Sequence, residues 1–362
     1  MPPFLEKSAS MDARRKSVVV GLALFCFAFA LSLPSAAEDA TPLTDQAWQE
    51  TVLSVTDLDR TARFFIELGG YDVIWRGAVG RAELVSWGVS ESASGGAVVL
   101  GHPDSTGPYI RLIRFDDAGE KVPTRPGARA WDTGCYFSVM VRAKNLSGLY
   151  QEAIALGWWT ETPVTRLTFG DSLLNVVVFR GPDGVQVQAY ERLSLPLPED
   201  FPAFDHLSVP FNMMQMVRDR DATYAFFTNV LGFSTFYLGN PYVAPTPTPT
   251  PLGIPLNLTT SARYQAGIVY PRPGELGRME MIEMMDLDGR DYADRCKAPN
   301  LGILATRFPV LDAAETAALI VARDASIAIE PIEMRLEPYG DVVLTGVRTP
   351  DGANIHFFET RE

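Results

Sequence analysis

ETVLSVTDLDRTARFFIELGGYDVIW, residues 50 to 75, changes its apolar period twice. Val52 to Val55 belong to a strand-like segment, and Asp57 is placed to cap the helix that follows. Leu58, Ala62, Phe65 and Ile66 then share one helical face until Gly69-Gly70 stops the helix and a second strand begins. The stretch is therefore expected to fold as strand, helix, strand.

The pattern recurs three times. YFSVMVRAKNLSGLYQEAIALGWW (136 to 159) has Asn145 as its cap, Leu146, Leu149, Ala153 and Leu156 as its stripe, and Gly157 as its stop. HLSVPFNMMQMVRDRDATYAFFTNVLGFSTFY (206 to 237) carries a longer connection and ends its helix at Gly232. ILATRFPVLDAAETAALIVARDASI (303 to 327) is the weakest copy, because no glycine closes its helix. The strands that follow also correspond in alternate copies. YIRLIRF (109 to 115) answers RMEMIEM (278 to 284), and GPDGVQVQAYE (181 to 191) answers TPDGANIHFFE (349 to 359). Each of the latter two is a Pro-Asp-Gly turn feeding an alternating strand. The expectation is an α+β fold of two tandem domains, each a pair of strand-helix-strand-strand-strand modules. Copies one and two would make a domain at 48–192, copies three and four a domain at 204–360, with a proline-bearing linker at 193–203.

One insertion interrupts the repeat. NPYVAPTPTPTPLGIP (240 to 255) alternates Pro with Thr and cannot pair as a central strand. An extended arm is expected there, to cover a pocket mouth, meet a partner or form a stiff surface loop.

The chain has 362 residues, 47% of them hydrophobic and 21% charged, which is the composition of an ordinary globular protein. Its net charge of -13, without clustered Lys and Arg, excludes a nucleic-acid partner and favours small molecules. Arg14, Arg15 and Lys16 precede an apolar run that ends at Pro34 and small residues at 35 to 37. That is the layout of a secretory signal peptide over 1–37, so export to a periplasm or beyond is expected, with no membrane attachment after cleavage. Cys135 and Cys296 are too few for a disulfide framework or a cysteine-rich zinc site, and read as two unpaired apolar residues that export would allow to bridge.

The fourfold module, the D-L-D-R helix start, the AFF-x3-LGF helix end and the PDG-led last strand together resemble the vicinal oxygen chelate superfamily, which includes glyoxalase I, bleomycin-resistance proteins and extradiol dioxygenases. The resemblance covers nearly all of 48 to 360. It implies that paired modules close into a curved sheet around a cavity, with any metal held by the first and last strands of each module. Carried over residue by residue, the first domain presents Glu50, Arg111 or Arg114, Tyr136 and Gln188, a poor cation site. The second presents His206, Glu283 (or Glu280, on the opposite strand face), Ile303 and His356. His206, Glu283 and His356 would suit Fe, Zn, Ni or Mn. Two functions stay open: metal-assisted lyase, isomerase or dioxygenase chemistry on a small organic molecule, or metal-free binding of one. The protein would act as a monomer or homodimer.

Overall fold

A computed structural model describes residues 40–361 except 104 and 128. The expected signal segment lies outside the described residues. Module one comprises β1 (Glu50–Ser54), α1 (Leu58–Arg63), β2 (Asp72–Ala78), α2 (Arg81–Ser86), β3 (Ser94–Gly101) and β4 (Tyr109–Asp116). Module two comprises β5 (Tyr136–Ala143), α3 (Leu146–Ala155), β6 (Thr165–Phe169), β7 (Ser172–Arg180) and β8 (Gln186–Arg192). Module three comprises β9 (Leu207–Met216), α4 (Arg220–Ala225), β10 (Ser234–Leu238), β11 (Tyr264–Tyr270) and β12 (Arg278–Met284). Module four comprises β13 (Gly302–Pro309), α5 (Ala313–Ala322), β14 (Ile327–Leu336), β15 (Gly340–Arg348) and β16 (Asn354–Thr360).

The first helix of each module begins on a side-chain cap: Asp57, Asn145, Asp219 and Asp312 each accept from a backbone N–H three residues on. Such caps contribute about 1 kcal/mol each. Modules one and three share a further detail, because α1 and α4 both continue as a wider π turn, Phe64–Leu68 and Phe226–Val230. In module four the missing glycine is replaced by Asp324, whose φ of 60° supplies the left-handed residue that ends the helix.

Two curled eight-stranded sheets result, but their membership differs from the sequence expectation. Module one shares its sheet with module four, in the order β14-β15-β16-β13-β1-β4-β3-β2. Module two shares the other with module three, in the order β10-β11-β12-β9-β5-β8-β7-β6. The boundaries at 48–192 and 204–360 therefore divide both sheets. The segment 193–203 connects two strands of one sheet, and the crossings between sheets are 117–135 and 285–301. These crossings run side by side, with bridges at Pro123–Leu301 and Thr133–Asp291. A disulfide between Cys135 and Cys296 ties them, so the two cysteines are not the unpaired residues expected. Repetition reveals which segments are equivalent, whereas the pairing of edges is a long-range choice that local pattern does not encode.

The convex faces of the two sheets and their helices form one shared core. Phe64 of module one stacks on Trp158 of module two at 3.9 Å, and the Tyr136 hydroxyl lies 2.8 Å from Thr306 Oγ1. The concave faces are left to make two cups, which differ in what fills them.

Candidate functional site

The structure does not bring His206, Glu283 and His356 together. His206 is exposed, just before β9 in the sheet of modules two and three. Glu283 lies in that sheet but on the outer face, accepting from the Arg220 backbone N–H and from Gln265 Nε2 at 2.9 Å each. His356 belongs to the other sheet, buried beside Trp87. Tyr136 and Ile303 likewise belong to the shared convex core. Strand alternation had separated Glu280 from Glu283, and it is Glu280 that faces inward.

Register identifies the positions that do converge. In the cup of modules one and four, Glu50 on β1 stands opposite Arg307 on β13, Arg307 opposite His356 on β16, and Val52 opposite Arg111 on β4. In the cup of modules two and three, Asn212 on β9 stands opposite Met140 on β5, Met140 opposite Gln188 on β8, and Met214 opposite Glu280 on β12. Glu50 is thus equivalent to Asn212, Arg307 to Met140, His356 to Gln188, and Arg111 to Glu280. The match of Gln188 with His356 was legible in the two PDG strands. Asn212, Met140 and Arg307 were missed because positions were counted from the strand starts; counted back from the helix caps at Asp57, Asp219, Asn145 and Asp312, Asn212 falls level with Glu50 and Met140 level with Arg307 in the repeat.

The first cup is closed by charge. Glu50 Oε1 accepts from Arg111 Nε at 2.8 Å and from Arg307 Nη1 at 2.7 Å, and Arg307 Nη2 reaches Glu83 Oε1 at 3.0 Å. All four side chains are buried. Arg111 also donates to the Glu337 carbonyl. Glu83 is delivered by α2, which brings Leu84 and Trp87 onto Val52 and Ala305 to fill the cup floor. Burial works against the ionised form of Glu83, yet Arg111 and Arg307 outweigh it and hold the carboxyl below its usual range.

The second cup is open. Its cavity, of about 360 Å³, has an apolar wall that includes Met214, Phe211, Ile282 and Leu252. The Pro-Thr insertion contributes Pro249 to Leu252 and Ile254 to the lining, and is pinned by Ala244 N–H to Thr259 O at 3.0 Å and Thr248 N–H to Thr259 Oγ1 at 3.1 Å. Deep in the cup, Asn212 Nδ2 donates to Glu280 Oε2 at 2.9 Å. Burial pushes the Glu280 carboxyl up to about 7, against the lowering effects of Asn212 and Arg278. At another part of the cavity lining, Arg142, Arg192 and Arg278 surround Glu275 at 2.6, 3.4 and 3.5 Å. Burial opposes ionisation of Glu275, but the guanidiniums hold its carboxyl low. Arg142 packs over the Phe211 ring at 4.0 Å and Arg278 over Phe236 at 3.8 Å. Three cations against one firmly ionised carboxylate leave this region electropositive, and the buried Nε atoms of Arg142 and Arg192 have no acceptor among the described residues.

Neither cup fits a divalent metal. Such an ion needs several anionic or imidazole donors around it. The first cup's ring holds two guanidiniums beside Glu50 and His356; the second offers one carboxylate, two amides and a thioether. Among the described residues no three His, Cys, Asp or Glu side chains converge.

No family model and no curated protein matches the sequence. Solved structures do match in shape. Glyoxalase I from Zea mays superposes with a TM-score of 0.58 at 13% identity, covering 87% of this chain and 92% of that one. A putative dioxygenase from Bacillus subtilis superposes with a TM-score of 0.54 at 10% identity, covering 87% and 86%. Four strand-helix-strand-strand-strand modules, closed in pairs into two curled cups, give this chain the vicinal oxygen chelate fold.

Proposed function

We propose that the cup of modules two and three binds a small organic anion with an apolar body, without a metal ion, in an exported protein. The observation that carries this is the arginine cluster in the cavity wall: among the described residues, Arg142, Arg192 and Arg278 share a single ionised partner, Glu275. A cavity of about 360 Å³ with an apolar wall and few polar groups is of the size and character that take up one small molecule. Bidentate guanidinium donors favour carboxylate or sulfonate oxygens. Export is supported by the Cys135–Cys296 disulfide, a bond that cytosolic reductants keep open in most proteins.

Calorimetry with 2-naphthoate and its neutral analogue 2-naphthylmethanol tests this reading. The carboxylate should bind with EDTA present, and Arg142→Met should weaken it by about tenfold, the equivalent of one charge-assisted hydrogen bond. Equal binding of the alcohol, or a requirement for added metal, would sink the proposal.

A second reading is favoured by Glu280. A carboxyl that titrates near 7 inside a cavity can accept and return a proton at neutral pH, so the cup would act as a metal-independent proton-transfer site. Incubation of a bound ligand in D₂O separates the two: exchange of a ligand C–H that disappears in Glu280→Gln, with binding retained, marks an enzyme.

A further inference from the structure

We infer that the mouth of the other cup, at His356, is a second binding site for a small oxyanion of the carboxylate or phosphate class. A cavity of about 110 Å³ is lined by the end of α2 (Ser86 to Gly88), by Lys297 and Ala298 of the second crossing, by the start of β14, and by Arg348, Asn354 and His356. The side chain of His356 is 1% exposed, and neither ring nitrogen has a hydrogen-bond partner among the described residues. A buried imidazole that leaves both nitrogens unsatisfied is costly, so a polar guest is called for.

The charges decide which kind. Among the described residues no carboxylate lines the cavity. Lys297 makes no ion pair among the described residues, and Arg348 makes one hydrogen bond, from Nε to Asn354 Oδ1 at 3.1 Å. Asn354 is itself held by Cys296 O at 2.7 Å and Leu304 O at 2.9 Å, which steadies that guanidinium. Arg307, behind His356, adds to the positive field, as does Arg348. A cation is therefore repelled from the position where the sequence suggested a metal, and an anion is attracted to it. The neutral imidazole donates one N–H, and the ammonium and guanidinium supply the countercharge. The small volume restricts the guest to a few heavy atoms. Because its walls come from modules one and four and from the disulfide-linked crossing, an occupant would clamp α2 onto module four.

Imidazole NMR of the intact chain tests the site, since only three histidines are present. Sodium acetate and inorganic phosphate are titrated separately, with chloride holding ionic strength constant. The expected result is a saturable shift of the His356 resonance with at least one anion and a melting temperature that rises with its concentration. Lys297→Ala and Arg348→Met, both at exposed positions, should each weaken binding by about tenfold while leaving the anion-free melting temperature nearly unchanged. A resonance that does not move with either anion overturns the inference. So does a saturable shift that is unaltered in the double variant. Because the 2-naphthoate experiment reports on the other cup, either proposal can fail alone.

Discussion

Glu50 and Arg307 meet across the junction of modules one and four, with Oε1 and Nη1 2.7 Å apart and both side chains fully buried. The contact spans 257 residues of sequence and sits on the concave face at the centre of a cup. Arg111 and Arg307 supply the positive charge that faces the Glu50 carboxylate there. Removing one partner of such a pair strands a buried charge, which costs about 3–5 kcal/mol. Glu50→Gln should therefore lower the urea midpoint by that equivalent. A loss below about 1 kcal/mol would show that the network is incidental.

Glu83 belongs to the same network, and its folded-state carboxyl is depressed. Its contribution should be present above the usual glutamate value of 4.5 and disappear as the pH falls through the lower folded value. The stability gap between the wild type and Glu83→Gln should be widest near neutrality and narrow below pH 4.5. A gap independent of pH would contradict this.

Glu280 should behave in the opposite sense. Its carboxyl is raised from 4.5 to about 7, so the folded state holds a proton that the unfolded chain has released. Stability then falls as pH rises from 4.5 to 7. Glu280→Gln should stabilise the protein above pH 7, by at most about 3 kcal/mol. Thermal melts of both proteins from pH 4 to 8 give the answer, and a variant that is less stable at every pH would refute the assignment.

The disulfide joins the two crossings over a separation of 161 residues. Replacing Cys135 and Cys296 together by Ser should cost about 2–5 kcal/mol, and the reduced wild type should match the double variant. Denaturation with and without reductant checks this.

Metal analysis of the protein after supplementation with Fe, Zn, Ni and Mn should find no stoichiometric ion. His206→Ala should change stability by no more than about 0.5 kcal/mol, as expected at an exposed position. Glu283→Gln should cost about 1–2 kcal/mol, because Glu283 accepts the Arg220 N–H and Gln265 rather than a cation. One equivalent of tightly held metal, lost in either variant, would restore the metal site the sequence suggested.

What the amino-acid sequence determined by itself is local. Period changes, caps at Asp57 and Asn145 and PDG turns marked the modules, because each depends on residues a few positions apart. The equivalence of Gln188 and His356 followed from the same short-range pattern. Only the tertiary structure decided that module one closes on module four and module two on module three, since edge strands of similar character compete and the winner is set by packing over the whole chain. That choice placed His206 and Glu283 in a different sheet from His356. It also brought Glu50 to two arginines, and left Arg142, Arg192 and Arg278 around an open cavity.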